Sequence, residues 1–165
     1  MVSLQMENDI RTERIIFETL WQDTREVLAH ELAAFKGEIE TDFYLTPAIN
    51  YGKVHALSIL RNLISNAVKY SESCPNPKIT ISTSKQEDYI LLKVKDNGIG
   101  IDMKKARNQL FKPFTRLTNK AGGTGMGLYI IKNIIEKNGG YIRIESEPDQ
   151  GTTFYCYLRE YHKGI

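Results

Sequence analysis

Residues 78–100 read K-I-T-I-S-T-S-K-Q-E-D-Y-I-L-L-K-V-K-D-N-G-I-G. Two strand-like runs, beginning at Lys78 and Tyr89, flank the short polar turn Q-E-D, which is the pattern of a β-hairpin. A hairpin pairs its strands antiparallel, whereas a doubly wound sheet alternates single parallel strands with helices. A second hairpin is expected at the far end, where Y-I-R-I-E-S-E from Tyr141 and T-T-F-Y-C-Y-L-R from Thr152 flank P-D-Q-G. Helical periodicity fills the intervals. Ile15, Ile16, Leu20, Val27, Leu28, Leu32 and Phe35 predict one amphipathic helix over about 14–36, stopped near Gly37. Alternation from Glu38 to Leu45 predicts a strand before the Thr46-Pro47 turn. A second helix is expected from about Tyr51 to Tyr70, and a third from near Thr124 to the Gly139-Gly140 stop. Helices interleaved with antiparallel hairpins predict an α+β chain. It should form a two-layer α/β sandwich, with a mixed, mainly antiparallel sheet of about five strands covered on one face by about three helices.

The chain has 165 residues, enough for one domain with its own core. The domain is expected at 14–160, with a tail or linker remnant at 1–13 and a short tail at 161–165. Apolar residues at 41% and charged residues at 25% exclude a disordered, fibrous or membrane-embedded chain. A net charge of +2 supplies no global attraction to nucleic acid, so no nucleic-acid partner is expected. Cys74 and Cys156 lack metal-ligand spacing and read as reduced, structural thiols. No run approaches the ~18 consecutive apolar residues of a membrane span, and the N-terminus is too polar for a secretory signal. The domain is therefore expected in the cytoplasm, with any membrane anchor of a longer parent lying outside it.

The second helix contains L-R-N-L-I-S-N-A-V-K-Y-S, Leu60–Ser71. At about 100° per residue, Asn62, Asn66, Lys69 and Tyr70 share an arc of roughly 100°, while Leu57, Leu60, Leu63, Ile64, Ala67 and Val68 lie opposite. An amide oxygen is a neutral hard ligand suited to a magnesium ion that keeps places for phosphate and water, and a lysine suits a phosphate. A merely solvated polar face fits the same spacing.

D-N-G-I-G, Asp96–Gly100, ends the strand that begins at Tyr89. A carboxylate there can accept from the exocyclic amine of adenine, and the glycines allow a flat base to approach. D-N-G is equally a common turn. G-G-T-G-M-G-L, Gly122–Leu128, opens the third helix, where free backbone N–H groups and the helix dipole favour an anion. Between these motifs, 102–123 is polar and lysine-rich, the composition of a long functional loop with one helical turn.

Taken in order, N-L-I-S-N-A-V-K-Y-S, D-N-G-I-G-I, L-F-K-P-F-T-R-L, G-G-T-G-M-G-L-Y-I-I-K and G-G-Y-I-R-I-E-S-E-P-D-Q-G-T-T-F resemble the successive boxes of the histidine kinase catalytic domain, a Bergerat fold. The resemblance spans about residues 38–159. It implies that Asn66 ligates Mg2+ with help from Asn62, that Lys69 contacts phosphates and that Tyr70 packs on the base or ribose. It assigns the adenine amine to Asp96, with Gly98 and Gly100 shaping the pocket and Thr152 and Thr153 supporting it. It makes 102–123 an ATP lid anchored by Phe111 and Phe114. Arg116 then reaches the terminal phosphate, and Gly123, Thr124, Gly125, Gly127 and Leu128 form the phosphate-binding helix start.

The activity so implied is transfer of the γ-phosphoryl group of ATP to a histidine, with Lys69 and Arg116 stabilising charge. The acceptor histidine would lie on a dimerisation domain outside this chain, the parent would be a homodimer, and a response regulator would be the downstream partner. Related ATPases of the fold carry a glutamate where Asn62 stands, and an amide cannot act as a general base. A nucleotide-binding regulatory module without kinase activity, or an ATPase, is the alternative. A-H-E-L, Ala29–Leu32, imitates an acceptor box, but A-A-F-K follows it and His30 precedes Asn66 too closely for a second dimerisation helix to intervene. His30, His55 and His162 are therefore read as surface residues, and Trp21 as core.

Overall fold

The computed structural model describes residues 11–115 and 125–162. Its elements are β1 (Thr12–Ile16), α1 (Phe17–Val27), α2 (Ala29–Ala34), β2 (Glu38–Asp42), β3 (Ala48–Gly52), α3 (Lys53–Ser71), β4 (Lys78–Gln86), β5 (Tyr89–Asp96), α4 (Met103–Ala106), α5 (Gly127–Lys137), β6 (Tyr141–Glu147) and β7 (Gly151–Arg159). A five-stranded sheet runs in the order β2-β4-β5-β7-β6, with β2 parallel to β4 and every other pair antiparallel. Both expected hairpins are present, and the sandwich is α+β as the pattern implied.

The single helix expected over 14–36 is instead a strand and two helices. Thr12–Ile16 pairs antiparallel with Ala48–Gly52 in a separate two-stranded ribbon, which buries Ile15 and leaves Ile16 exposed. The helix starts only at Phe17, whose N–H donates to the Pro47 carbonyl. It buries Phe17, Leu20, Trp21 and Thr24 at helical spacing, and it breaks at Leu28, where the backbone leaves the helical region. Partner strands that come from distant sequence are invisible to local periodicity, which is why Ile15 and Ile16 read as helical. The same cause displaced the start of the second helix: Ile49 and Tyr51 are the buried alternate residues of β3, and α3 begins at Lys53. The strand expected over Glu38–Leu45 stops at Asp42, and Tyr44 and Leu45 are exposed.

α3 is the spine of the core. Ile59, Leu60, Leu63 and Ile64 are wholly buried between the sheet and the flanking helices, each contributing about 1.5–3 kcal/mol of apolar burial. The sheet supplies alternate inward residues: Ile79, Ile81 and Thr83 from β4, Ile90, Leu92 and Val94 from β5, and Phe154, Cys156 and Leu158 from β7. α5 closes the layer with Leu128, Ile131 and Ile135, while Ile130 is exposed at the edge. On the opposite sheet face Tyr141 stacks on Tyr157 at 4.3 Å, with Tyr89 edge-on at 5.3 Å. Among the described residues no helix is long and apolar enough to cross a membrane.

Candidate functional site

The inward row of β5 ends on a charge. Ile90, Leu92 and Val94 are followed on the same face by Asp96, which is only 4% exposed. Its Cα partner across the ladder is Thr152 of β7, also buried, so both side chains leave the sheet on the helix side. Asp96 Oδ1 accepts from the Gly98 N–H at 2.9 Å. Burial pushes the carboxyl up to about 6, against the lowering effect of the Gly98 and Thr152 backbone groups.

The turn after Asp96 is welded to the end of α3 and to the second hairpin. The Ile99 N–H donates to the Tyr70 carbonyl at 3.0 Å, and a β-carbon on Gly98 would collide with that same oxygen. Gly100 has φ +68°, and a β-carbon there would strike the Glu147 carbonyl. Asn97 completes the turn: its Oδ1 accepts from the Lys78 N–H at 2.7 Å and its amide donates to the Asn76 carbonyl at 2.9 Å. Tyr70 lies close enough to Asp96 that burial, and then the carboxylate, raise its phenol above its ordinary value.

Asn62, Asn66, Lys69 and Tyr70 all lie on the half-buried edge of α3, as the helical arc predicted. The start of α5 stands over that edge. A β-carbon on Gly127 would lie 2.8 Å from Asn62 Oδ1, while Asn62 Nδ2 donates to the Ser58 carbonyl at 2.8 Å. Gly125, at φ +73°, packs against the backbone of Phe114 and Thr115. Leu128 is buried in the core cluster. The structure thus brings Asn62 to Gly127, Tyr70 to Gly98, and Asp96 to Thr152. Arg116, Gly123 and Thr124 lie outside the described residues.

The segment expected to form the lid, 102–123, is described only as far as Thr115. Its helical turn is α4, N-capped by Asp102, whose Oδ1 accepts from the Lys104 N–H at 3.1 Å. Phe111 packs against the core, with Lys132 Nζ 5.9 Å from its ring centre. Phe114 is no anchor: its φ of +60° turns its backbone against Gly125, and its ring is 76% exposed. His55 is half-buried, and its Nδ1 sits 3.2 Å from Asn138 Nδ2 in an exposed contact at the far end of α5. His30 is exposed on α2.

One contributor went unread in the sequence. Ser146 follows Ile142 and Ile144 on the half-buried alternation of β6, and its hydroxyl meets Ile101 N, Gly151 O and Thr152 Oγ1. A serine interrupting an inward apolar row is the signal that marks it.

This sandwich, with a buried carboxylate at its mouth and an amide-bearing helix edge under a glycine-rich helix start, is an ATP-binding domain. The chain belongs to the histidine kinase-, DNA gyrase B- and HSP90-like ATPase family, whose model matches residues 52–162. It is 39% identical over 140 residues to the phytochrome-like protein Cph1 of Synechocystis, covering 81% of this chain and 18% of that protein. It is 30% identical over 164 residues to the sensor histidine kinase CpxA of Escherichia coli, covering 96% and 35%. The chain thus spans about a third or less of these curated relatives. The fold superposes on the catalytic domain of histidine kinase ThkA with a TM-score of 0.75 at 20% identity, covering 91% of this chain and 98% of that one. Fold and relatives together make this a catalytic ATP-binding domain of the histidine kinase type.

Proposed function

We propose that the domain binds ATP with Mg2+ and transfers the γ-phosphoryl group to a histidine on a dimerisation domain outside this chain, for relay to a response regulator. Asn62 carries the reading. It occupies the place where α3 faces the start of α5, its amide nitrogen is engaged by the Ser58 carbonyl and its oxygen faces Gly127. An amide there positions and neutralises but takes no proton, which disfavours activation of water and leaves the γ-phosphoryl group for an imidazole that brings its own nucleophile.

The donor set fits magnesium. Among the described residues no group of three or more His, Cys, Asp or Glu side chains is placed to hold a metal. What the α3 edge offers is neutral amide oxygen, from Asn66 with Asn62 one turn earlier, the few-ligand arrangement of an ion that keeps phosphate and water in its shell. When bound, that ion neutralises phosphate charge. Asp96 orients the base, Tyr70 stacks beside it, Lys69 and Arg116 hold phosphate charge, and the α5 start with Gly125 and Gly127 presents backbone N–H groups to the anion.

The test is to incubate γ-labelled ATP and Mg2+ with the domain, alone and with the parent's dimerisation domain. Acid-labile label appearing on the added domain alone is the expected result. Label on His30, or rapid release of phosphate by the domain by itself, overturns the transfer reading in favour of autophosphorylation or hydrolysis.

A further inference from the structure

The hydroxyl of Ser146 has three polar neighbours and one proton. It accepts from the Ile101 N–H at 2.8 Å, it lies 2.9 Å from the Gly151 carbonyl oxygen, and it lies 2.8 Å from Thr152 Oγ1. A carbonyl oxygen has no proton to give, so the Gly151 contact is favourable only when Ser146 donates. That commits the serine's single proton. Its second lone pair then faces Thr152, and the bond between the two hydroxyls runs in one direction: Thr152 donates and Ser146 accepts.

Thr152 consequently has no proton left for the space beside Asp96. It offers lone pairs only, next to a buried carboxylate on the same face of the ladder. The Asp96 oxygen that does not serve Gly98 is likewise an acceptor. Such a surface pairs with a donor, whether the exocyclic amine of the base or a water that the amine orients, and it repels a carbonyl.

We propose that Ser146, by fixing the direction of the Thr152 hydroxyl proton, is a specificity-determining positioning residue that makes the base pocket accept 6-amino purines and reject 6-oxo purines. This rests on reading the Asp96 end of the site as the purine pocket. Ser146 acts through Thr152 and need not touch the nucleotide. Without it the Thr152 hydroxyl is free to rotate and donate to a 6-oxo group. Sites that reject an analogue through a fixed hydrogen-bond pattern lose discrimination when the pattern loosens.

ATP and inosine triphosphate differ in the 6-substituent and the protonation of the adjoining ring nitrogen, so the ratio of their dissociation constants reads the effect directly. Calorimetric titration of Ser146→Ala with each nucleotide is expected to show that ratio falling about tenfold from the wild-type value. Ser146→Thr, which restores the hydroxyl, is expected to recover it. Ser146→Cys, close to serine in shape but a weak acceptor, carries the same expectation as alanine should the alanine variant fail to fold. If both nucleotides weaken in proportion and the ratio stands, Ser146 is a brace and the specificity proposal is overturned. If the wild type binds neither nucleotide, the purine-pocket reading itself fails.

Discussion

Gly127 opens α5 directly above the side chain of Asn62, so close that a β-carbon on the glycine would lie 2.8 Å from Asn62 Oδ1. Two helices far apart in sequence therefore meet at a contact that leaves the Asn62 amide in place only while residue 127 has no side chain. The Ser58 carbonyl supplies the second restraint, accepting from Asn62 Nδ2 at 2.8 Å.

Gly127→Ala should separate binding from stability. The added carbon meets only the end of the Asn62 side chain, which can turn aside without moving any backbone, so stability to urea should change by less than ~1 kcal/mol. The Asn62 amide must nevertheless turn away, and Mg-ATP affinity should fall severalfold in calorimetry. An unaltered affinity would mean that Asn62 does not face the nucleotide.

Asp96 makes the unliganded domain pH-sensitive in a defined direction. Burial raises its carboxyl from 3.8 to about 6, so the native state holds a proton that the unfolded chain releases. The stability from this group is fully present below about 3.8 and is lost as pH rises through about 6. Asp96→Asn should therefore be more stable than the wild type at pH 7.5, by on the order of 2–3 kcal/mol, with the gap closing below pH ~4. Denaturant titrations at the two pH values measure this.

Ligand binding should run the other way. Adenosine is the suitable probe, because nucleotide phosphates titrate in the same range. Wild-type affinity for adenosine should rise as Asp96 ionises near pH 6. Asp96→Asn, lacking a charge-assisted bond worth roughly 1.5–3 kcal/mol, should bind about ten- to hundredfold more weakly at pH 7.5 and show no such rise. An NMR titration at pH 5 and 7.5 distinguishes the two curves.

Gly100→Ala and Gly139→Ala form a matched pair. Both glycines have positive φ, +68° and +80°, but the added carbon meets the Glu147 backbone carbonyl at Gly100 and only the Arg159 side chain, at 3.1 Å, at Gly139. Gly139→Ala should cost about 1 kcal/mol, the left-handed penalty alone, and Gly100→Ala about 2 kcal/mol or more, because a backbone oxygen must move. Equal costs in urea unfolding would remove the claim that the Asp96 turn is locked to the β6–β7 hairpin.

Tyr51 tests the core. Its hydroxyl is buried without a hydrogen-bond partner among the described residues, and desolvation raises the phenol well above its ordinary range. Tyr51→Phe removes an unsatisfied polar atom and keeps the ring, so stability should hold or rise by up to ~1 kcal/mol by thermal unfolding.

Sequence alone determined what depends on neighbours along the chain. The period of α3 put Asn62, Asn66, Lys69 and Tyr70 on one edge, since about 100° per residue fixes which side chains share a face. The alternation in 78–96 and 141–159 settled both hairpins, since each partner strand lies one short turn away. Tertiary structure decided whatever a distant segment supplies. Ile15 and Ile16 became a strand because Ile49 and Ala48 arrive to pair with them. Asp96 became a buried carboxyl raised to about 6 because α3 and β7 close over the end of its strand. Ser146 acquired a role only when Ile101, Gly151 and Thr152 converged on one oxygen. Hydrogen-bond direction and desolvation are properties of surroundings assembled from the whole chain, and periodicity carries no record of them.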